Sequence, residues 1–146
     1  MPEFSSCQLR IDFEFGSAKG KFMSVAVEHE GKMYPLLPEG TGIKRTTSFE
    51  IPIVLPTKII LRFSGKEAGK DTVIDAQGNI TEDVSVQVAG LSFDGFKVNE
   101  KFLYHKMLLI TTDGQQLTTC YAGFNGTITL DFDKQDVFAQ YLWMNQ

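Results

Sequence analysis

The sequence predicts an all-β fold, an antiparallel two-sheet β-sandwich with a short C-terminal helix, and three observations lead there. Apolar and polar residues alternate with period two, as where Leu9, Ile11, Phe13 and Phe15 lie opposite Arg10, Asp12 and Glu14. Such runs are short, about nine or ten in all, and turns of Gly, Asn and Asp separate them at regular intervals. Only after Asp133 does the period lengthen to that of a helix. Jelly-roll-like and immunoglobulin-like topologies both satisfy this pattern.

The first strand carries Leu9 to Phe15 and runs into a turn at Gly16 to Gly20. The next places Met23, Val25 and Val27 inward, with Ser24 and Glu28 outward, and Glu30-Gly31 turns it back into Lys32 to Leu37. Pro38 ends that return, because proline cannot donate to a central ladder, and Pro38 to Lys44 is a glycine-rich connection without a phosphate-cradling frame. Phe49, Ile51, Ile53 and Leu55 resume the alternation, with the outward Pro52 marking an edge or bulged strand and Pro56 ending it. Ile59, Leu61 and Phe63 face the core in the next strand, and the apolar Ile60 between them predicts cover on both faces.

Thr72 to Ile74 is a short strand, Asp75 to Asn79 is turn chemistry, and Val84, Val86 and Val88 alternate with Ser85 and Gln87 in the clearest strand of the chain. Asp94-Gly95 then closes a tight hairpin onto Phe96 and Val98. Lys106 to Thr112 is predicted to be a buried strand, and Asp113-Gly114 returns it into Gln116 to Tyr121. Ile128, Leu130 and Phe132 face inward in the last strand. Asp133 can cap a closing helix of one or two turns, in which Val137 and Tyr141, like Phe138 and Leu142, are four apart.

The chain has 146 residues, enough for one core, and residues 1–146 are expected to form a single domain. Hydrophobic residues at 42% and charged residues at 22% give an ordinary globular balance. A net charge of −4 with scattered basic residues offers no footprint for nucleic acid or an anionic membrane. An apolar run long enough to span a bilayer and the layout of a signal peptide are both missing, so synthesis and retention in a cytosol are expected. In that setting Cys7 and Cys120, each in a predicted strand, read as reduced, packed thiols, with a disulfide between them as the alternative.

No motif carries catalysis. His29, beside a Glu-Gly turn, reads as solvated, and His105 reads as a strand residue packed on its aromatic neighbours; neither sits near a nucleophile motif. Asp12, Glu14, Glu28 and Glu50 alternate with core residues and read as the wet face of a sheet, which leaves a small hydrolase unsupported. The acidic cluster Asp71, Asp75, Glu82 and Asp83 has the hard oxygen ligands that calcium takes, but its spacing is not that of an EF-hand, and turn-making explains most of it. Calcium is therefore the one candidate ion. Tyr34, Tyr104, Tyr121 and Trp143 are amphipathic rings suited to a ligand or partner surface, and Tyr141 shares that character.

The strand IILRF, the acidic loop running into DTVID, the stretch EDVSVQVAGLSFDGFKVN and the closing GFNGTITLDF resemble small virion-associated proteins of tailed bacteriophages, including marine cyanophages. More loosely, residues 55 to 100 resemble the calcium-dependent carbohydrate-binding modules of xylan-binding type. The first resemblance implies a non-enzymatic capsid, tail or fibre component, used in multiple symmetric copies and bound to other virion proteins, with a host glycan as a further ligand. Its location would be the virion, and the host cytoplasm during assembly. The second implies calcium in the loop from Asp71 to Asp83.

Overall fold

A computed structural model describes residues 5–37, 44–67 and 70–144. The chain forms β1 (Ser6–Ala18), β2 (Lys21–Phe22), β3 (Ser24–His29), β4 (Lys32–Leu36), β5 (Lys44–Val54), β6 (Thr57–Ser64), β7 (Thr72–Ile74) and β8 (Ile80–Asp83). It continues through β9 (Ser85–Phe93), β10 (Phe96–Lys97), α1 (Glu100–Lys106), β11 (Leu108–Thr111), β12 (Gln116–Thr118), β13 (Tyr121–Ala122), β14 (Gly126–Phe132) and α2 (Lys134–Met144). All pairings are antiparallel, as the short alternating runs require.

In the first sheet β5 and β9 flank β1, β2 pairs with the end of β1, and β10 and β13 pair with β9. The second runs β12-β11-β14-β6-β3-β4, and β7 with β8 makes a separate hairpin. The chain changes sheet between β4 and β5, and again at the cis Leu55–Pro56 bond between β5 and β6. The inward faces meet in one apolar cluster, where Phe93 of the first sheet meets Phe132 of the second edge to face at 5.2 Å.

The two outer faces differ. On the first sheet Arg10 bonds Asp12 at 2.9 Å and reaches Glu50 at 3.7 Å, while Ser48 donates to Asp12 at 2.6 Å. Burial would raise the Asp12 carboxyl, but the bonds from Ser48 and Arg10 hold it below its ordinary range. On the second sheet the register aligns Pro35, Ala26, Arg62, Thr127, Ile110 and Gln116 in one row. The next row brings Met33, Glu28, Ile60 and Thr129 together, with Leu108 and Thr118 continuing it. Glu28 and Arg62, 3.2 Å apart, are the only charges in these two rows.

Lys19-Gly20, Glu30-Gly31 and Asp94-Gly95 are two-residue turns with both φ positive, the geometry that matches strand twist. Gly126 is required for a different reason: a Cβ there would collide with the Ile110 carbonyl oxygen, where β14 pairs closely with β11.

Several expectations need correction. β1 continues to Ala18, so the turn after it is only Lys19-Gly20. β4 ends at Leu36, and residues 38–43 of the glycine-rich connection lie outside the described residues, while Lys44 already belongs to β5. The described residues form fourteen strands rather than nine or ten, because short pairings such as β2, β10 and β13 add two-residue ladders. Glu100–Lys106 is a helix, with the Asn99 side chain accepting from the Lys101 N–H at 2.8 Å, so His105 is helical and exposed. β11 is not buried throughout: Leu109 is, but Leu108 and Ile110 face outward.

His29 is buried in phase with Val25 and Val27 and shares a hydrogen bond with Thr57 Oγ1 at 3.1 Å. Cys120 falls between β12 and β13 rather than in a strand, and both thiols are free. Burial, with Asp94 nearby, pushes the Cys7 thiol up to about 11. α2 makes three turns rather than one or two, started by a reciprocal cap in which Asp133 Oδ1 accepts from the Asp136 N–H and Asp136 Oδ2 from the Asp133 N–H.

Candidate functional site

Lys66 leaves the end of β6 with nowhere to pair along the ladder, and Asn125, just before β14, holds its backbone from both sides. Asn125 Oδ1 accepts from the Lys66 N–H at 3.0 Å, and Asn125 Nδ2 donates to the Lys66 carbonyl at 2.8 Å. This clamp aims the ammonium at Asp83, the last residue of β8, and Nζ meets Oδ1 at 2.7 Å. The two side chains are 10% and 16% exposed, so the pair is largely desolvated.

Thr72 donates to the same Asp83 oxygen at 2.7 Å, and the Tyr121 hydroxyl donates to the other at 3.1 Å. Burial pushes the Tyr121 phenol up, and the adjacent Asp83 carboxylate adds to the rise. Asp83 is thus satisfied three times, which is what a shielded carboxylate needs.

Above this floor lies an open groove of about 690 Å³, walled by the β7–β8 hairpin, the β11–β12 hairpin and residues 121–125. Its size is that of a small-ligand site. Phe124, 55% exposed, overhangs it with its ring centroid 5.9 Å from Lys66 Nζ, and Tyr121 is 47% exposed beside it. Thr112, Thr118 and Thr119 line the wall. Asp113 is the other carboxylate here; the Thr111 hydroxyl donates to it and holds it below its ordinary range, opposite to the direction a general acid needs. Tyr121 and Asp83 also line a smaller depression of about 270 Å³ beside Glu14 and Gln87.

No protein-family model, curated protein or solved structure matches the chain. The site must therefore be read from its own chemistry.

Of the four acidic residues singled out in the sequence, only Asp83 lines the groove. Asp71 is buried, and its Oδ2 accepts from Lys21 Nζ and from the Glu67 N–H, both at 2.6 Å; these two bonds hold its carboxyl below the ordinary range. Asp75 Oδ1 accepts from the N–H groups of Gln77 and Asn79, the turn-making use expected of it. Glu82 accepts from the Lys19 N–H at 3.4 Å. Among the described residues no group of three or more His, Cys, Asp or Glu is placed to hold a metal ion.

The four aromatics are likewise dispersed. Tyr34 is half-buried against Phe49 across the sandwich at 5.4 Å, Tyr104 is exposed on α1, and Trp143 is exposed on α2 beside Val98 to Lys101. Only Tyr121 belongs to the groove. Lys66, Phe124 and Asn125 were not singled out by sequence reasoning. The available signal was an aromatic in a glycine-flanked loop, Gly123 to Gly126, where a core residue has no strand to sit on.

Proposed function

We propose that the protein is a non-enzymatic binding module of a bacteriophage particle, a structural or accessory component that binds other virion proteins and takes a neutral, hydroxyl-rich ligand, a host-surface glycan, in the groove under Phe124. The observation that carries the ligand reading is the exposed Phe124 and Tyr121 pair above an internally neutralised floor. An aromatic face stacks on the C–H face of a sugar ring, and fixed hydroxyl and amide groups orient its hydroxyls. Lys66 and Asp83 cancel each other, and the remaining carboxylate, Asp113, disfavours an anionic ligand. The virion assignment is supported by the resemblance of the central stretch to small phage proteins.

Titration calorimetry with a panel of neutral oligosaccharides, including xylohexaose and cellohexaose, tests the groove. Phe124→Ala is expected to lower affinity about fivefold, from ~1 kcal/mol of lost stacking. Affinity should be equal in millimolar calcium and in chelator, because the cation of this site is Lys66. Binding that survives Phe124→Ala and Tyr121→Ala together would remove the groove from the account, and chelator-sensitive binding would return it to the Asp71 to Asp83 loop. Mass spectrometry of purified particles tests the virion assignment, which fails if the polypeptide is absent.

A further inference from the structure

The outer face of the second sheet is unlike the rest of the surface. Two adjacent rows across six strands hold one acid and one base, and their remaining positions are apolar, threonine or glutamine. Met33, Leu108 and Ile110 are each 40% exposed or more, and Ile60 lies half-buried between them. The bordering row is charged, with Lys58 opposite Asp131. The exposed apolar side chains thus flank a central Glu28–Arg62 pair on both sides, the mixture of apolar area and paired charge that protein interfaces carry.

We infer that this face binds a second copy of the same chain, in a two-fold arrangement that sets Glu28 of each copy against Arg62 of the other. Charge supports self-association: the face carries equal numbers of opposite charges side by side, so a two-fold axis between them makes it complementary to itself. Area supports a dimer of moderate strength. Six strands spaced ~4.8 Å apart, with side chains at both margins, span roughly 30 Å, and strands that run from three residues in β12 to eight in β6 cover roughly 18 Å on average. The face is then on the order of 550 Å² per copy, or about 1,100 Å² for the pair, just under the range of standard specific interfaces. The dimer is therefore reversible and concentration-dependent. This inference deepens the reading of the protein as a repeated component, but it does not depend on what the groove binds.

Sedimentation velocity over a dilution series tests it. The wild-type chain should pass from monomer to dimer in the micromolar range, with affinity lost at least tenfold in Ile110→Asp and in Thr129→Lys. Both positions are solvent-facing, so melting curves of the dilute monomers should match the wild type. Thr46→Asp, on the edge strand of the other sheet, should leave the dimer intact. Glu28→Arg should weaken association, and Glu28→Arg with Arg62→Glu should restore it. A chain that stays monomeric to about 1 mM, or a dimer indifferent to both Ile110→Asp and Thr129→Lys, overturns the inference. Either result leaves the oligosaccharide titration unaffected, so the two proposals fail separately.

Discussion

The two outer sheet faces of this protein solve the same problem in opposite ways. The first sheet pairs its charges within itself, through Arg10, Asp12, Ser48 and Glu50. The second gives two whole rows to threonine, isoleucine, leucine and other uncharged residues, with Glu28 and Arg62 as the exception there. Exposed ion pairs contribute little to stability, so the first pattern serves solubility and keeps partners away. The second gives up solubility, a cost that makes sense when something covers it.

The comparison can be broken hardest at its glycines. Gly126→Ala drives a methyl into the backbone of Ile110 and Thr111 in the second sheet, where neither strand can yield. Gly16→Ala in the first sheet meets the Ser85 hydroxyl at 2.8 Å, a side chain that can rotate, although the Asp83 carbonyl stands at 3.1 Å. Denaturant titration should place Gly126→Ala at or beyond the top of the ~1–3 kcal/mol range for overpacking, with Gly16→Ala near its bottom. Equal losses would mean that the second sheet is no more tightly held than the first.

A somewhat smaller effect is expected where the two sheets are tied. Lys66 follows β6 of the second sheet and Asp83 precedes β9 of the first, so their contact spans both. Lys66→Met leaves Asp83 shielded without its counter-charge, and should cost about 3 kcal/mol in a urea melt.

The smallest expected effect is that of pH. Asp12, Asp71 and Asp113 are all held below their ordinary values in the folded chain. Each contribution is complete above about pH 4 and is lost as pH falls through the folded values, because the unfolded chain then binds more protons. Asp12 lies on the first sheet's face, whereas Asp113 holds Thr111 at the end of β11 in the second sheet. Amide exchange under mild acid should therefore rise in β1, β5 and β11 before it rises in β3 and β6.

The sequence was most legible where one face is buried and the other wet. β1, β3, β6 and β14 follow their alternation residue by residue, since burial on one side fixes the register. His29 reads as solvated from the Glu30-Gly31 turn beside it, but its phase with Val25 and Val27 carries it inward. α1 was missed because Phe102 to Lys106 is bulky and short, with only Leu103 buried; Asn99 before Glu100 was the cap that could have announced it. The groove was the least legible feature, because it joins Lys66 to Asn125 and Asp83 to Tyr121, partners that lie 59 and 38 residues apart.

The same distance rule governs how the chain can assemble. β1, the centre of its sheet, closes on β9 through contacts such as Gln8 with Asp94, 86 residues further on. A growing polypeptide must therefore hold Leu9, Ile11, Phe13 and Phe15 unpaired on one side until more than half of the chain has been made. At ~5–20 residues per second that wait lasts several seconds, during which the central strand of the first sheet is open to the wrong neighbour. A low synthesis rate at the ribosome, or a chaperone that binds alternating aromatic strands, would then govern yield more than the stability of the finished sandwich does.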